Sequence, residues 1–207
     1  MGSQIYAVHM TTPGGPPDDP LLTAALQVLA ERGLKGATTR TIAERAGVNE
    51  VTLFRRHGTK LSLLRAAVLS RTTVLAGRGV HYTGNLEADL IHLTREYGEA
   101  LHTVGPVIRV LVTEFPRHPE LQGVLDGPRE LFAQVAALLG RYQQEGQLRP
   151  EPLGSLLPAL IGPLVLPHLM PDLFRTLLPL SPGTPPDPEA HVRAFLHGRA
   201  THPEDTP

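Results

Sequence analysis

TTRTIAERAGVNEVTLFRRHGTK, residues 38–60, is the stretch whose reading decides the fold. Thr38 is a good cap for a short helix over 39–46, in which Ile42, Ala43 and Ala46 share an inward face. Gly47 ends that helix, because glycine tolerates the left-handed backbone that turns a chain sharply, and Val48 plugs the angle before the next helix. Asn49 caps a helix over 50–57 that points Leu53 to the core and leaves Glu50, Val51, Thr52, Phe54, Arg55 and Arg56 on the opposite face. Arg40, Arg45, Arg55, Arg56 and Lys60 supply positive charge. Two short helices at a tight turn with this charge point to a helix-turn-helix reader of DNA.

Working outward, Asp19-Pro20 forms a helix entrance: the carboxylate caps free amides, and proline, lacking an N–H, fits the first helical position. Leu22, Ala25, Leu26 and Leu29 then recur at helical spacing until Gly33, which predicts a first helix over 20–32 and a short connection over 34–37. On the other side Thr59 caps a fourth helix that runs to about residue 76, with Leu61, Leu64, Val68 and Leu75 forming a broad apolar face. Residues 31–71 carry nine Lys and Arg against three acids, whereas residues 72–207 carry ten Arg against fifteen acids. A basic head on an acidic body suits a protein that meets a polyanion with one end. A solvated, arginine-rich helical surface is the competing reading of the charge alone.

Downstream, Gly77, Gly79 and Gly84 predict a loop, and Leu86, Leu90, Leu93, Tyr97 and Leu101 a fifth helix. Gly105-Pro106 reads as the start of a sixth, stopped by Pro116 and Pro119. The pattern then resumes from Leu121 to Tyr142, split at Gly127-Pro128 and ended by Gly146. Residues 153–178 are strongly apolar and interrupted by Pro158, Pro163, Pro167 and Pro171, which predicts a kinked helix that needs cover, with a partner subunit the expected cover. SPGTPPDP, residues 181–188, is a proline-rich loop, and Asp187-Pro188 opens a last helix. Neither an internal repeat nor a stretch of period-two alternation is found. The fold expected is all-α, about nine helices, with a helix-turn-helix domain over 20–65 and a larger helical domain over 66–201. Residues 1–19 are expected as a disordered arm that is partly a vector remnant, and 202–207 as a tail.

Composition narrows the function. The chain has 207 residues, 41% of them apolar, and a formal net charge of −1, which fits a globular protein. It has no cysteine, so disulfides, thiolate nucleophiles and Cys-ligated zinc are excluded, in keeping with a cytoplasmic location. The longest apolar run, 156–166, is broken by Pro158, Gly162 and Pro163 and falls short of the roughly 20 residues a membrane span needs. An enzyme would need a catalytic constellation, and the sequence has no G-x-S-x-G, H-E-x-x-H or glycine-rich phosphate loop. His191 and His197 are six apart, off one helical face, and His168 has no obvious partner, so the histidines read as surface and packing residues. No catalytic residue, metal or cofactor is expected.

ATTRTIAERAGVNEVTLFRRHGTKLSLL, residues 37–64, resembles the amino-terminal domain of the TetR family of bacterial transcriptional repressors. The turn glycine, core positions, aromatic and lysine fall at the family's spacing, and the resemblance covers about a quarter of the chain. It implies that Thr38, Thr39 and Arg40 approach phosphates at the start of the second helix, helped by its free amides. It implies that Glu50, Val51 and Thr52 approach base edges in the major groove. Phe54 stands where the family usually has tyrosine, so a phenolic bond to phosphate is lost, and Arg55 and Arg56 are placed to replace it electrostatically. His57 stands where a buried phenylalanine is common; a satisfied, partly buried histidine is the plain reading. Lys60 matches the family's phosphate-binding lysine.

Glu50 is favoured by the helix dipole but repelled by phosphates unless it accepts a hydrogen bond, and the amino group of cytosine is the donor that the major groove offers. The expectation is a C·G preference in each half-site. The resemblance further implies a homodimer through residues 153–200 on a double-stranded, palindromic operator, released by a small-molecule effector. Nine aromatic residues in all weakly favour an apolar or acyl-type effector over a flat aromatic cation. Leu93, Tyr97, Ile108, Phe132 and Leu160 are either pocket or ordinary core. The alternative is a helical adaptor that keeps the fold without specific DNA binding.

Overall fold

The computed structural model describes residues 19–171, 176, 187–197 and 199. Among them are eight α-helices and no strand: α1 (Pro20–Gly36), α2 (Thr39–Ala46), α3 (Glu50–His57), α4 (Lys60–Gly79), α5 (Leu86–Glu114), α6 (Asp126–Gln144), α7 (Leu153–Leu169) and α8 (Pro188–Leu196). Two 3-10 turns, Phe115–Arg117 and Pro119–Leu125, join α5 to α6.

The small amino-terminal unit forms where local chemistry dictates. Asp19 accepts from the Leu21 amide ahead of Pro20, and Gly33 (φ 66°) breaks the regular course of α1 one turn before its end. Thr38 and Thr41 cap one another reciprocally at the start of α2. The core of this unit is Leu21, Ala25, Leu29, Ile42, Leu53 and Leu64. Val107 and Leu111 of α5, with Leu121 and Val124 of the second 3-10 turn, complete it, so the head shares its core with the larger unit. A second core, around Leu90, Leu93, Val135, Leu139, Tyr142 and Leu160, fills the rest.

Three expectations change. Residues 77–79 belong to α4, not to a loop, because Gly79 is where α4 crosses α5: a Cβ on it would lie 3.4 Å from Leu93 Cδ1 and from Glu96 Cβ. Gly105-Pro106 does not start a helix; α5 runs through it. A Cβ on Gly105 would lie 2.9 Å from the ring of His168, so the glycine serves a close approach of α7, and buried Leu101, Val107 and Leu111 hold α5 across the hydrogen bond that Pro106 removes. Asp19 lies in the folded unit rather than in an arm, since its side chain is buried.

α7 continues through Pro158, Pro163 and Pro167 and buries Leu156, Leu160, Ile161 and Leu164, mostly against α5 and α6. Its remaining face is open: Leu166 is 40% and the adjoining Met170 43% exposed. Asp187 caps α8, which packs on α5, with His191 Nε2 2.7 Å from the Leu160 carbonyl oxygen. The expected arm before Asp19, the far end of the apolar stretch, most of the loop at 181–188 and the tail lie outside the described residues.

Candidate nucleic-acid interface

The turn between α2 and α3 is built by backbone. Gly47 takes φ 69° and ψ 26°, its N–H donates to Glu44 O at 3.2 Å, and the Val48 N–H donates to Ala43 O at 3.0 Å. This pair of bonds closes the end of α2 and turns the chain, which the left-handed glycine permits. Asn49 Oδ1 then accepts from the Val51 amide at 2.9 Å and starts α3.

α3 buries Leu53 completely and turns the opposite face outward. Val51 is 71% and Phe54 48% exposed, and Arg55 and Arg56 are exposed beside them. Large apolar side chains held out in water between cations make sense where a partner surface carries both charge and apolar groups, as a DNA groove does through its phosphates and thymine methyls.

The other expected contact residues separate into committed and uncommitted groups. Thr38 spends its hydroxyl on the Thr41 amide, at 3.1 Å. Thr39, half-buried, donates to the Glu50 carboxylate across the turn. Arg40 makes an exposed pair with Glu44 at 3.0 Å, one turn along α2, a contact too weak in water to keep it from phosphate. Arg55 pairs with no carboxylate among the described residues. Arg56 is ion-paired with buried Asp19, which holds α3 to the start of α1. Lys60 Nζ donates to the Leu34 carbonyl at 3.0 Å, so its charge sits where α4 begins beside the end of α1. Arg45 forks onto Glu31 at 2.9 and 2.7 Å and belongs to the back of the head.

His57 departs from the satisfied histidine expected. Its Nε2 is buried without a hydrogen-bond partner among the described residues. Burial pushes its pKa below the ordinary value; Asp19 opposes that shift and Arg56 adds to it. The Asp19–Arg56 and Thr39–Glu50 links are the features that sequence reading missed, since neither pair carries a local spacing signal.

The larger unit holds a cavity of about 530 Å³ between α4, α5, α6 and α7. Tyr97, Ile108 and Phe132 line it; Leu93 and Leu160 are ordinary core. Arg71 and Arg78 of α4 also reach it. Among the described residues no group of three or more His, Cys, Asp or Glu is placed to hold a metal ion, and no helix is long and apolar enough to cross a membrane. His168 stands edge-on to His102, with ring centroids 6.0 Å apart.

Comparison with known proteins finds relatives of this fold. Residues 21–67 match the family described as bacterial regulatory proteins, tetR family. An uncharacterized HTH-type transcriptional regulator of Bacillus subtilis, YvkB, is 34% identical over 100 residues, which span 48% of this chain and about half, 52%, of that protein. The uncharacterized HTH-type transcriptional regulator Rv1556 of Mycobacterium tuberculosis is 28% identical over 177 residues, 84% of this chain and 82% of that one. Among solved structures, a TetR-family transcriptional regulator from Mesorhizobium loti superimposes with a TM-score of 0.67 at 18% identity, covering 89% of this chain and 97% of that one. The transcriptional regulator FadR of Bacillus subtilis, in complex with stearoyl-CoA, does so with a TM-score of 0.64 at 15% identity, covering 86% and 95%.

Proposed function

We infer that this chain, which belongs to the TetR family of DNA-binding transcriptional regulators, represses transcription from a palindromic operator as a homodimer and leaves it when a small apolar effector enters the cavity. The observation that carries the DNA half is the outer face of α3, where Val51 and Phe54 stand exposed beside Arg55. On this reading Glu50, Val51 and Thr52 face base edges, while Thr38, Thr39, Arg40, Phe54, Arg55, Arg56 and Lys60 follow the phosphates on either side. The protein then works in the cytoplasm, where the DNA is.

The dimer is supported by the open face of α7. A single eight-residue helix reads too few base pairs alone, and symmetric half-sites about 34 Å apart need two heads in fixed register. Exposed Leu166 and Met170 offer apolar surface for a second copy over the region 153–200.

The effector half is supported by the cavity, whose 530 Å³ lies in the range of small-molecule sites. The related fold of the Bacillus subtilis regulator holds stearoyl-CoA, and the acyl-type effector expected from the scarcity of aromatics is in keeping with that. Occupation acts as a population shift: the ligand favours whichever spacing of the heads leaves the cavity open, and that spacing fails to match the operator.

Mobility shift of the promoter of its own gene at two salt concentrations tests the reading. Retardation that weakens by orders of magnitude as salt rises is the expected result, because each neutralised phosphate adds to the slope. Absence of retardation at low salt favours the adaptor and overturns the reading.

A further inference from the structure

The cavity-facing stripe of α4 carries Val68, Arg71, Thr72, Leu75 and Arg78. Arg71 and Arg78 are two turns apart, so both side chains leave the same face of the helix, separated by about 10 Å along its axis. The two cations are not equivalent. Glu96 and Glu99 of α5 also line the cavity, and among the described residues neither forms an ion pair with Arg71 or Arg78. Arg71 alone of the two reaches across to α1: among the described residues its guanidinium bonds to a neutral group, Thr23 Oγ1, at 3.2 Å. Val107, Leu111, Leu131, Phe132 and Val165 line the same space. A half-buried guanidinium with five donors, of which one bonds a hydroxyl, keeps donors free beside apolar walls, and an anion of matching shape can take them.

Resting on the reading of this cavity as the effector site, we propose that the effector is a carboxylate with a single aliphatic chain. Its carboxylate takes the fork of Arg71, and its chain lies against the α5, α6 and α7 side chains. The carboxylate competes with Thr23 for the guanidinium. Thr23 lies one turn into α1, four residues after Asp19, whose carboxylate caps that helix and pairs with Arg56 on α3. Drawing Arg71 away from Thr23 therefore loosens α4 from α1, the helix to which Asp19 and Arg56 tie α3 and its reading face, which joins ligand chemistry to operator release.

Calorimetric titration of the full-length chain with decanoate, 1-decanol and decanoyl-coenzyme A tests the ligand class. The wild type is expected to bind decanoate at least about tenfold more tightly than 1-decanol, the value of a charge-assisted pair. Arg71→Met should remove that preference while keeping the affinity for the alcohol. Equal affinity for acid and alcohol, a preference unchanged in Arg71→Met, or binding of the thioester without binding of decanoate overturns the proposal. The comparison of acid and alcohol uses the wild type alone and stands even where Arg71→Met fails to fold. Thr23→Val should bind decanoate undiminished yet show a smaller decanoate-induced loss of DNA retardation; a loss equal to the wild type's overturns the coupling through Thr23. Retardation without ligand is read in parallel: its absence counts against the regulator reading, whereas retardation with no acid preference counts against the carboxylate alone.

Discussion

The hydroxyl of Thr39, the first residue of α2, donates a hydrogen bond to the carboxylate of Glu50, the first residue of α3. The two helix starts are thus tied by side chains as well as by the glycine turn. The bond fixes one carboxylate oxygen and leaves the other able to accept. A carboxylate near phosphates is repelled by them, and the favourable partner in the major groove is the amino group of cytosine. Binding-site selection should give a C·G preference at one symmetric position for the wild type. Glu50→Ala should lose it, and Thr39→Val should weaken it, since Glu50 then keeps its charge but not its orientation. An identical site logo for wild type and Glu50→Ala ends this assignment.

Adjacent arginines on α3 should behave differently. Arg55 is exposed and pairs with no carboxylate among the described residues, whereas Arg56 already neutralises a carboxylate buried at the start of α1. Arg55→Ala is expected to reduce the slope of log affinity against log salt by about 1, the effect of one lost phosphate contact. Arg56→Ala is expected to act first on folding, because it strands Asp19 in the core; a destabilisation of about 2 kcal/mol is the scale for a half-exposed partner of a buried carboxylate. Thermal denaturation and salt-dependent mobility shift on both variants decide it. Equal salt slopes with equal melting temperatures would contradict the distinction.

What could be read ahead was local. Thr38, Gly47, Asn49, Thr59 and Asp187 stop or start helices through groups within a few residues, so the sequence carries the whole interaction. Arg56 could be assigned to the outer face but not to Asp19, because that partner lies 37 residues away and only the packing of α1 on α2 and α3 brings it near. Pro106 misled for the same reason: its local cost is plain, and the burial that offsets it is tertiary. The cavity is harder still, since it is space that four helices fail to fill. Tyr97 and Leu93, both apolar positions of one helix, fall on different sides of that outcome.

His57 places a buried ring nitrogen without a partner among the described residues at the end of α3. Burial holds its pKa below the ordinary histidine value, so the unfolded chain takes up the proton first as pH falls. Stability is then lost as pH drops below about 6.5 and the loss is complete below the folded-state value. His57→Phe removes both the unpaired atom and the titration. It should raise stability by about 1 kcal/mol at neutral pH and flatten the change between pH 7 and pH 5. Chemical denaturation of both proteins at the two pH values measures it; a variant less stable than wild type at both would show that His57 makes a contact worth more than its burial costs.

Asp89 works in the opposite sense to a simple buried acid. Burial alone would push its pKa up, but hydrogen bonds from Tyr142 and from the Thr83 hydroxyl and amide outweigh that and hold it below the ordinary carboxylate range. Both Thr83 contacts are 2.7 Å, and Tyr142 is fully buried. The group ties the loop before α5 to α6, with Tyr82 of the same loop donating to Glu145 at 2.6 Å. Because the folded-state value is depressed, the stability that Asp89 supplies is fully present above about pH 4 and is lost as pH falls through the unfolded and then the folded value. Asp89→Asn keeps the shape but turns an amide N–H₂ toward a donor, and should cost about 2 kcal/mol at pH 7. Tyr142→Phe should cost less, since it leaves two donors on the carboxylate. At pH 3 the gap between wild type and Asp89→Asn should narrow. A gap that is constant from pH 7 to pH 3 would mean that packing around residue 89, and not its charge, holds the loop to the helix.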